Sequence, residues 1–262
     1  MIPISERKRI VVKVGTSTLT HRTGRLNIRR VEQLVKTLAD LQNAGYEVIL
    51  VSSGAIGLGM GKLGLMDRPK DTPGKQACAA VGQCELMYLY DNLFSEYSIT
   101  VAQLLLTKYI LLEDRRKNVE NALERLISQG VIPVVNENDT VAIDELELEM
   151  GENDSLAAVV ATIANADLLI IMSDIDGLYD SDPRQNPDAK MIPVVREISE
   201  DIHAVAGGAG TKFGTGGMAT KIHAVEIAYE SDIDVVLMNG QHPKKLYELF
   251  EDKPVGTLFH KG

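Results

Sequence analysis

The chain has 262 residues, 45% of them hydrophobic, with a formal net charge of −10, so it can bury a large core and reads as one big α/β domain rather than two small ones. The acidic balance argues against a nucleic-acid surface, which needs clustered lysine and arginine. The first nine residues are charged rather than apolar, and no apolar run reaches the roughly 18 residues of a membrane span, so a cytoplasmic location is expected.

In chain order, a β-branched run at 10–14 ends in Gly15-Thr16-Ser17-Thr18, which predicts a strand feeding a small-residue turn. Lys13 lies inside that run. A central parallel strand is buried on both faces, where an unpaired ammonium is costly, so Lys13 needs an anionic partner unless the strand is an edge with a snorkelling lysine. Ile28, Val31, Leu34, Val35, Leu38 and Leu41 recur at helical spacing, with Gly45 as a stop. A second strand, 47–51, ends in Ser52-Ser53-Gly54-Ala55, whose backbone amides can approach a ligand. Gly57, Gly59 and Gly61 are explained as well by tight strand–helix packing and are not assigned to a site.

Residues 75–97 form a long helical pattern in which Met87, Tyr88, Tyr90 and Phe94 read as core or subunit contact. Cys78 and Cys84 lie within it on different faces, with no histidine at metal-ligand spacing, and read as free thiols. A strand at 100–106 and a helix through Val119, Ala122, Leu123, Leu126 and Ile127, stopped by Gly130, lead to an apolar strand at 131–135. That strand ends in Asn136-Glu137-Asn138-Asp139, answered later by Gly151-Glu152-Asn153-Asp154. Polar residues at strand ends of an open α/β sheet are where ligands bind. Between the two clusters, residues 145–150 alternate with period two, which fits a solvent-facing β-arm.

After Asp154 come an alanine-rich helix at 157–164 and a fully apolar strand at 168–172 that ends in Ser173-Asp174 and, shortly after, Gly177-Leu178-Tyr179. A loop at 182–188, a short strand at 192–195 and a helix after Ser199 follow. Residues 207–218 are a glycine-dense loop running into a helix that carries Lys221 in its first turns, a pattern suited to phosphate. A strand at 235–238, a helix at 243–250 and a strand at 255–259 close the chain, without repeat or linker.

Neither Gly-x-x-x-x-Gly-Lys-[Ser/Thr] nor a Gly-x-Gly-x-x-Gly turn after the first strand is present. What remains is Lys13 and Lys221, several strand-end glycine turns, and Asp139 and Asp154 with amide neighbours. That set suits phosphoryl transfer, where the protein supplies positioned cations and backbone donors. Each lysine needs a carboxylate to orient it, and Asp154 is the candidate for bridging both. Magnesium leans on nucleotide phosphates and keeps several waters, so no dedicated protein metal cage is expected.

Assembled in this order, Val12-Lys13-Val14-Gly15-Thr16-Ser17, Ser52-Ser53-Gly54-Ala55-Ile56, Asn136 to Asp139, Asn153-Asp154, Ser173-Asp174 with Gly177-Leu178-Tyr179, and Gly214-Thr215-Gly216-Gly217-Met218-Ala219-Thr220-Lys221 resemble the amino acid kinase superfamily over nearly the whole chain, and within it the glutamate-phosphorylating branch. The resemblance implies a three-layer α/β/α sandwich with a mainly parallel central sheet. The part to about residue 165 would bind glutamate and the part from about 166 to 262 would bind ATP. It implies Mg2+-dependent transfer from ATP to the γ-carboxylate of L-glutamate, the first step of proline biosynthesis. Lys13, Lys221 and Asp154 would be catalytic. Ser53, Gly54, Asn136, Asp139 and Asn153 would hold glutamate. Lys13, Gly15, Ser173, Asp174 and Thr215, Gly216, Gly217, Met218, Ala219, Thr220 and Lys221 would hold the nucleotide.

The same resemblance implies proline as feedback inhibitor, a homo-oligomer, and functional coupling to a glutamyl phosphate reductase, with the acidic arm and the 75–97 helix as effector-linked and subunit surfaces. Two departures are visible. Glu152 stands where the family often has Asp, and the C-terminal PUA domain of many members does not follow Gly256-Thr257-Leu258-Phe259, so a kinase domain without PUA is expected. The alternatives are a related kinase acting on another carboxylate or carbamate, and a non-catalytic amino-acid sensor on this fold.

Overall fold

The β-branched run that contains Lys13 lies in the middle of the sheet. In this computed structural model, which describes residues 3–21, 25–107, 112–141, 153–207 and 217–261, the strands are β1 (Arg9–Val14), β2 (Glu47–Ser52), β3 (Val101–Leu106), β4 (Ile132–Glu137), β5 (Leu168–Ser173), β6 (Val194–Val195), β7 (Asp234–Asn239) and β8 (Thr257–Phe259). They form one sheet in the order β3-β4-β2-β1-β5-β7-β8-β6, parallel throughout except for the β7–β8 pair. With β2 on one side and β5 on the other, β1 is no edge, which disposes of the snorkelling-lysine alternative.

The helices are α1 (Thr16–Leu19), α2 (Ile28–Asn43), α3 (Ala55–Leu63), α4 (Thr72–Ser95), α5 (Glu113–Ser128), α6 (Asn153–Ile163), α7 (Glu200–Gly207), α8 (Met218–Glu230) and α9 (Lys245–Phe250). Strand side chains alternate between faces. Ile10, Val12 and Val14 therefore join the core with α2, α4 and α9, while Val11 joins the core with α5, α6 and α8. This makes three layers. The same period of two puts Lys13 on the Val11 face, toward α6 and α8, the helices that carry Asp154 and Lys221.

Some details differ from the sequence reading: β6 is shorter than expected, α6 begins at Asn153, and α3 was not anticipated. Residues 16–19 form the short helix α1 rather than a plain turn. Ile28, counted in the α2 stripe by its spacing, is 60% exposed, so the buried stripe begins at Val31. Ile28 opens the helix directly after its cap, Asn27, whose side chain accepts from the Arg30 amide, and the first turn projects past the packed face.

Helix α3 meets α4 backbone to backbone, which explains Gly59 as helix–helix packing. A Cβ on Gly59 would lie 1.8 Å from the Cys78 carbonyl oxygen, and one on Gly82 would lie 1.7 Å from that of Ala55. A Cβ on Gly61 would meet nothing within 4 Å. Gly82→Ala is therefore expected to cost about 3 kcal/mol or more by overpacking, and Gly61→Ala to stabilise by about 0.5–1 kcal/mol through helix propensity. Urea midpoints measure both, and equal midpoints would contradict the backbone contact.

Candidate active site

The carboxyl ends of β1, β2, β4 and β5 and the amino ends of α6 and α8 meet at one rim of the sheet, where an open α/β fold binds ligands. The centre of that rim is ionic. Lys13 Nζ lies 2.6 Å from Asp154 Oδ1 and Lys221 Nζ lies 3.0 Å from Asp154 Oδ2. Asp154 is fully buried, and Lys13 and Lys221 are only 8% and 7% exposed. Burial pushes the Asp154 carboxyl up, but the charges and hydrogen bonds of Lys13 and Lys221 outweigh it and hold the group below its ordinary value. The three groups together carry one net positive charge in a desolvated place.

Beside this centre stands an amide chain. Asn153 Nδ2 donates to Ser53 Oγ at 2.8 Å, to Asn136 Oδ1 at 3.0 Å and to the Ser52 carbonyl at 3.2 Å. Asn136 Nδ2 donates in turn to Gln83 Oε1 at 2.8 Å. Gly54 caps α3 at φ 104°, a left-handed conformation open to glycine at little cost. Burial raises the Asp139 carboxyl above its ordinary value, and the positive charge of Arg68 partly opposes that rise.

A cavity of about 500 Å³ joins these parts: Lys13 and Gly15 from β1, Ser53 and Gly54 after β2, Asn136 and Asp139 after β4, Asn153 and Asp154 from α6, Ser173 and Asp174 from β5, and Lys221. Gly57, not assigned to a site from the sequence, also lines it, and a Cβ there would meet Thr16 Cγ2 at 3.8 Å, an ordinary contact. A second cavity of about 300 Å³ adjoins it through Ser173, Asp174 and Lys221 and is walled by Tyr179, Asp182, Arg184, Gly217 and Met218. Lys221 thus sits at the junction of two cavities.

Ala219 and Thr220 line neither; the Thr220 hydroxyl donates to the Gly217 carbonyl at 2.8 Å. Thr215, Gly216, Glu152 and the acidic arm at 145–150 lie outside the described residues. Among the described residues, no group of three or more His, Cys, Asp or Glu side chains could hold a metal ion, and no helix is long and apolar enough to cross a membrane.

The sequence model of the amino acid kinase family matches residues 8–239. The chain belongs to this family. It is 52% identical over 98% of its length to a glutamate 5-kinase of Clostridium perfringens, covering 96% of that protein. It is 54% identical over 96% of its length to a glutamate 5-kinase of Caldanaerobacter subterraneus, covering 67% of that protein. Among solved structures, carbamate kinase from Giardia lamblia bound to AMP-PNP superposes with a TM-score of 0.68 at 17% identity, over 98% of this chain and 100% of that one. That likeness is one of fold.

Several lining residues had no signal in the sequence. Arg68 stands in an irregular stretch between α3 and α4, and Asp182 and Arg184 in a stretch whose Pro, Asn and Asp content marked it only as a loop. Gln83, which lines neither cavity, lies mid-helix, where only its contact with Asn136 of β4 gives it meaning. Tyr179 did have a signal, since Gly177-Leu178-Tyr179 was part of the resemblance, but no role came with it.

Proposed function

We propose that the chain transfers the terminal phosphoryl group of ATP to the γ-carboxylate of L-glutamate, giving L-glutamyl 5-phosphate for proline synthesis. The observation that carries this reading is the Lys13–Asp154–Lys221 ion pair at the junction of two cavities. Glutamate occupies the larger cavity, within the part up to about residue 165. The nucleotide occupies the smaller one, within the part from about 166, with its phosphates toward Lys221, Gly217 and Gly15. The relatives named glutamate 5-kinase support the choice of acceptor.

A glutamate side-chain carboxyl, with a reference pKa of about 4.3, is already an anion at neutral pH, so the reaction needs no general base. What it needs is relief of repulsion between two anions and an in-line approach. Lys13 and Lys221 supply the positive charge, and Asp154 fixes where that charge stands. Magnesium, when bound with the nucleotide, would supply further positive charge against the phosphates. Asp154 is committed to two lysines, whereas Asp174 lines both cavities and would be the carboxylate to receive waters of such an ion.

At the other end of the glutamate cavity, Asp139 pairs with the substrate ammonium, and Asn153, Asn136, Ser53 and the Gly54 amide hold its polar groups. Protonation of Asp139 then competes with substrate binding. The apparent KM for glutamate is expected to rise as pH falls through the raised Asp139 pKa. Asp139→Asn should raise that KM about 10- to 100-fold at neutral pH and flatten this dependence. An effect confined to the KM for ATP would refute the assignment.

Proline inhibition, a homo-oligomer built partly on α4, coupling to a reductase that takes up the labile acyl phosphate, and an effector role for the acidic arm all rest on the family resemblance. Glutamate phosphorylation unaffected by proline would remove the effector part. ADP release with ATP and Mg2+ across glutamate, aspartate, carbamate and UMP tests the acceptor. Release that depends on glutamate alone is expected, and release with any of the others but not glutamate would overturn the reading.

A further inference from the structure

Gln83 is a buried polar side chain, 8% exposed, in the middle of α4 and outside the residues that line either cavity. Its partner is Asn136, at 2.8 Å. The orientation of that contact is set by the backbone. The amide N–H of Glu137, which can only donate, points at Asn136 Oδ1 at 2.9 Å, so this end of the Asn136 side chain is the acceptor. Asn136 Nδ2 must then face Gln83, and Gln83 must present its carbonyl oxygen.

One consequence is that Gln83 Nε2 is left buried without a hydrogen-bond partner. An orphaned donor in such a place is a standing cost to folding. Leucine or methionine would fill the position without it. The other consequence lies toward the cavity: Asn136 Oδ1, held on one side by the Glu137 amide, accepts from Asn153 Nδ2 at 3.0 Å, and Asn153 Nδ2 also reaches Ser53 Oγ at 2.8 Å. Gln83, Asn136, Asn153 and Ser53 are thus one hydrogen-bonded row running from a core helix to the cavity wall. The Gly82 contact with the Ala55 carbonyl brings α4 close enough for Gln83 to begin that row.

From this we infer that Gln83 is a positioning residue for glutamate recognition: its carbonyl oxygen locks the Asn136 amide, which locks Asn153 and Ser53 against the acceptor substrate. The inference rests on the proposed function, since it assigns that cavity to glutamate. It predicts a selective effect. Among the described residues, the bonds that join Lys13 and Lys221 to Asp154 are separate from those of the row, so withdrawing the Gln83 oxygen disturbs acceptor binding and leaves phosphoryl transfer largely intact.

The test uses the full chain with Gln83→Met, a similar shape without the acceptor, Gln83→Asn, one methylene too short to reach, and Gln83→Glu, which offers an acceptor oxygen in either protonation state. Steady-state kinetics with glutamate and ATP are expected to give a glutamate KM raised about 10-fold in the Met and Asn variants, with kcat and the ATP KM within about threefold of the parent. Glu should stay within about threefold on all three. An unchanged glutamate KM in Met or Asn overturns the inference. So does a parallel loss in kcat and both KM values, or a Glu variant as impaired as Met; if Met fails to fold, Asn and Glu decide. Glutamate-dependent ADP release by the parent enzyme is read first, so failure of the proposed function is seen separately.

Discussion

Asp154→Asn is expected to lower turnover by on the order of 1,000-fold, the largest single effect in the molecule, because one carboxylate orients both cations of the site. Removing one preorganised electrostatic group costs about 100- to 1,000-fold, and here two ammonium groups lose their anchor together. The same change should destabilise the fold by about 3–5 kcal/mol, since it leaves two buried lysines with their shared countercharge gone. The sign of the pH effect follows from the depressed carboxyl. The folded value lies below the unfolded one, so the stability it brings is fully present above the ordinary carboxylate range. It is lost as pH falls through the lower, folded value. Urea midpoints against pH should therefore show an acid-side loss in the parent that is smaller in the Asn variant. A parent-like turnover would dismiss Asp154 as the organiser of the site.

The second large effect is at Lys221. Lys221→Ala should lower kcat about 100- to 1,000-fold while the KM for glutamate moves only a few-fold, because this charge acts on the transferring phosphoryl more than on bound glutamate. Its place supports that split: Lys221 lines both cavities, whereas Lys13 lines the larger one. Folding should suffer less than in the Asp154 variant, because Asp154 keeps Lys13 at 2.6 Å. Combining Lys221→Ala with Lys13→Ala should cost less than the product of the two, since the three groups act as a unit. Unchanged turnover in Lys221→Ala would remove it from the chemistry.

Much of this arrangement is legible in the sequence, for identifiable reasons. Period-two alternation assigns faces to β1, and a lysine on the Val11 face of a doubly buried strand has to find a carboxylate. The apolar runs of β2, β4 and β5 end in small or polar residues, which marks the binding rim. Pairing of Lys13 and Lys221 through Asp154 is harder to read, since 67 residues separate Asp154 from Lys221 and only the stacking of α6 and α8 on one sheet face joins them. Ile28 was misplaced because helical spacing says which residues share a stripe but not where the packed layer begins.

Gln83 and Gly82 were illegible for a related reason. Nothing in a helical repeat distinguishes a glutamine that completes a polar row from one facing solvent, and Gly82 acquires its meaning only from the Ala55 carbonyl of another helix. Gly57 was passed over because three glycines alternating with Leu58 and Met60 look alike in sequence, although Gly59 packs against α4, Gly57 lines the cavity and a Cβ on Gly61 would meet nothing within 4 Å.

Transfer of a phosphoryl group to a carboxylate at the two lysines gives an acyl phosphate, which is chemically distinct from every phosphate ester. Incubation with ATP, Mg2+, glutamate and hydroxylamine should yield γ-glutamyl hydroxamate in step with ADP, with both lost together in Lys221→Ala. ADP formed with glutamate but without hydroxamate, or hydroxamate undiminished in that variant, would contradict it.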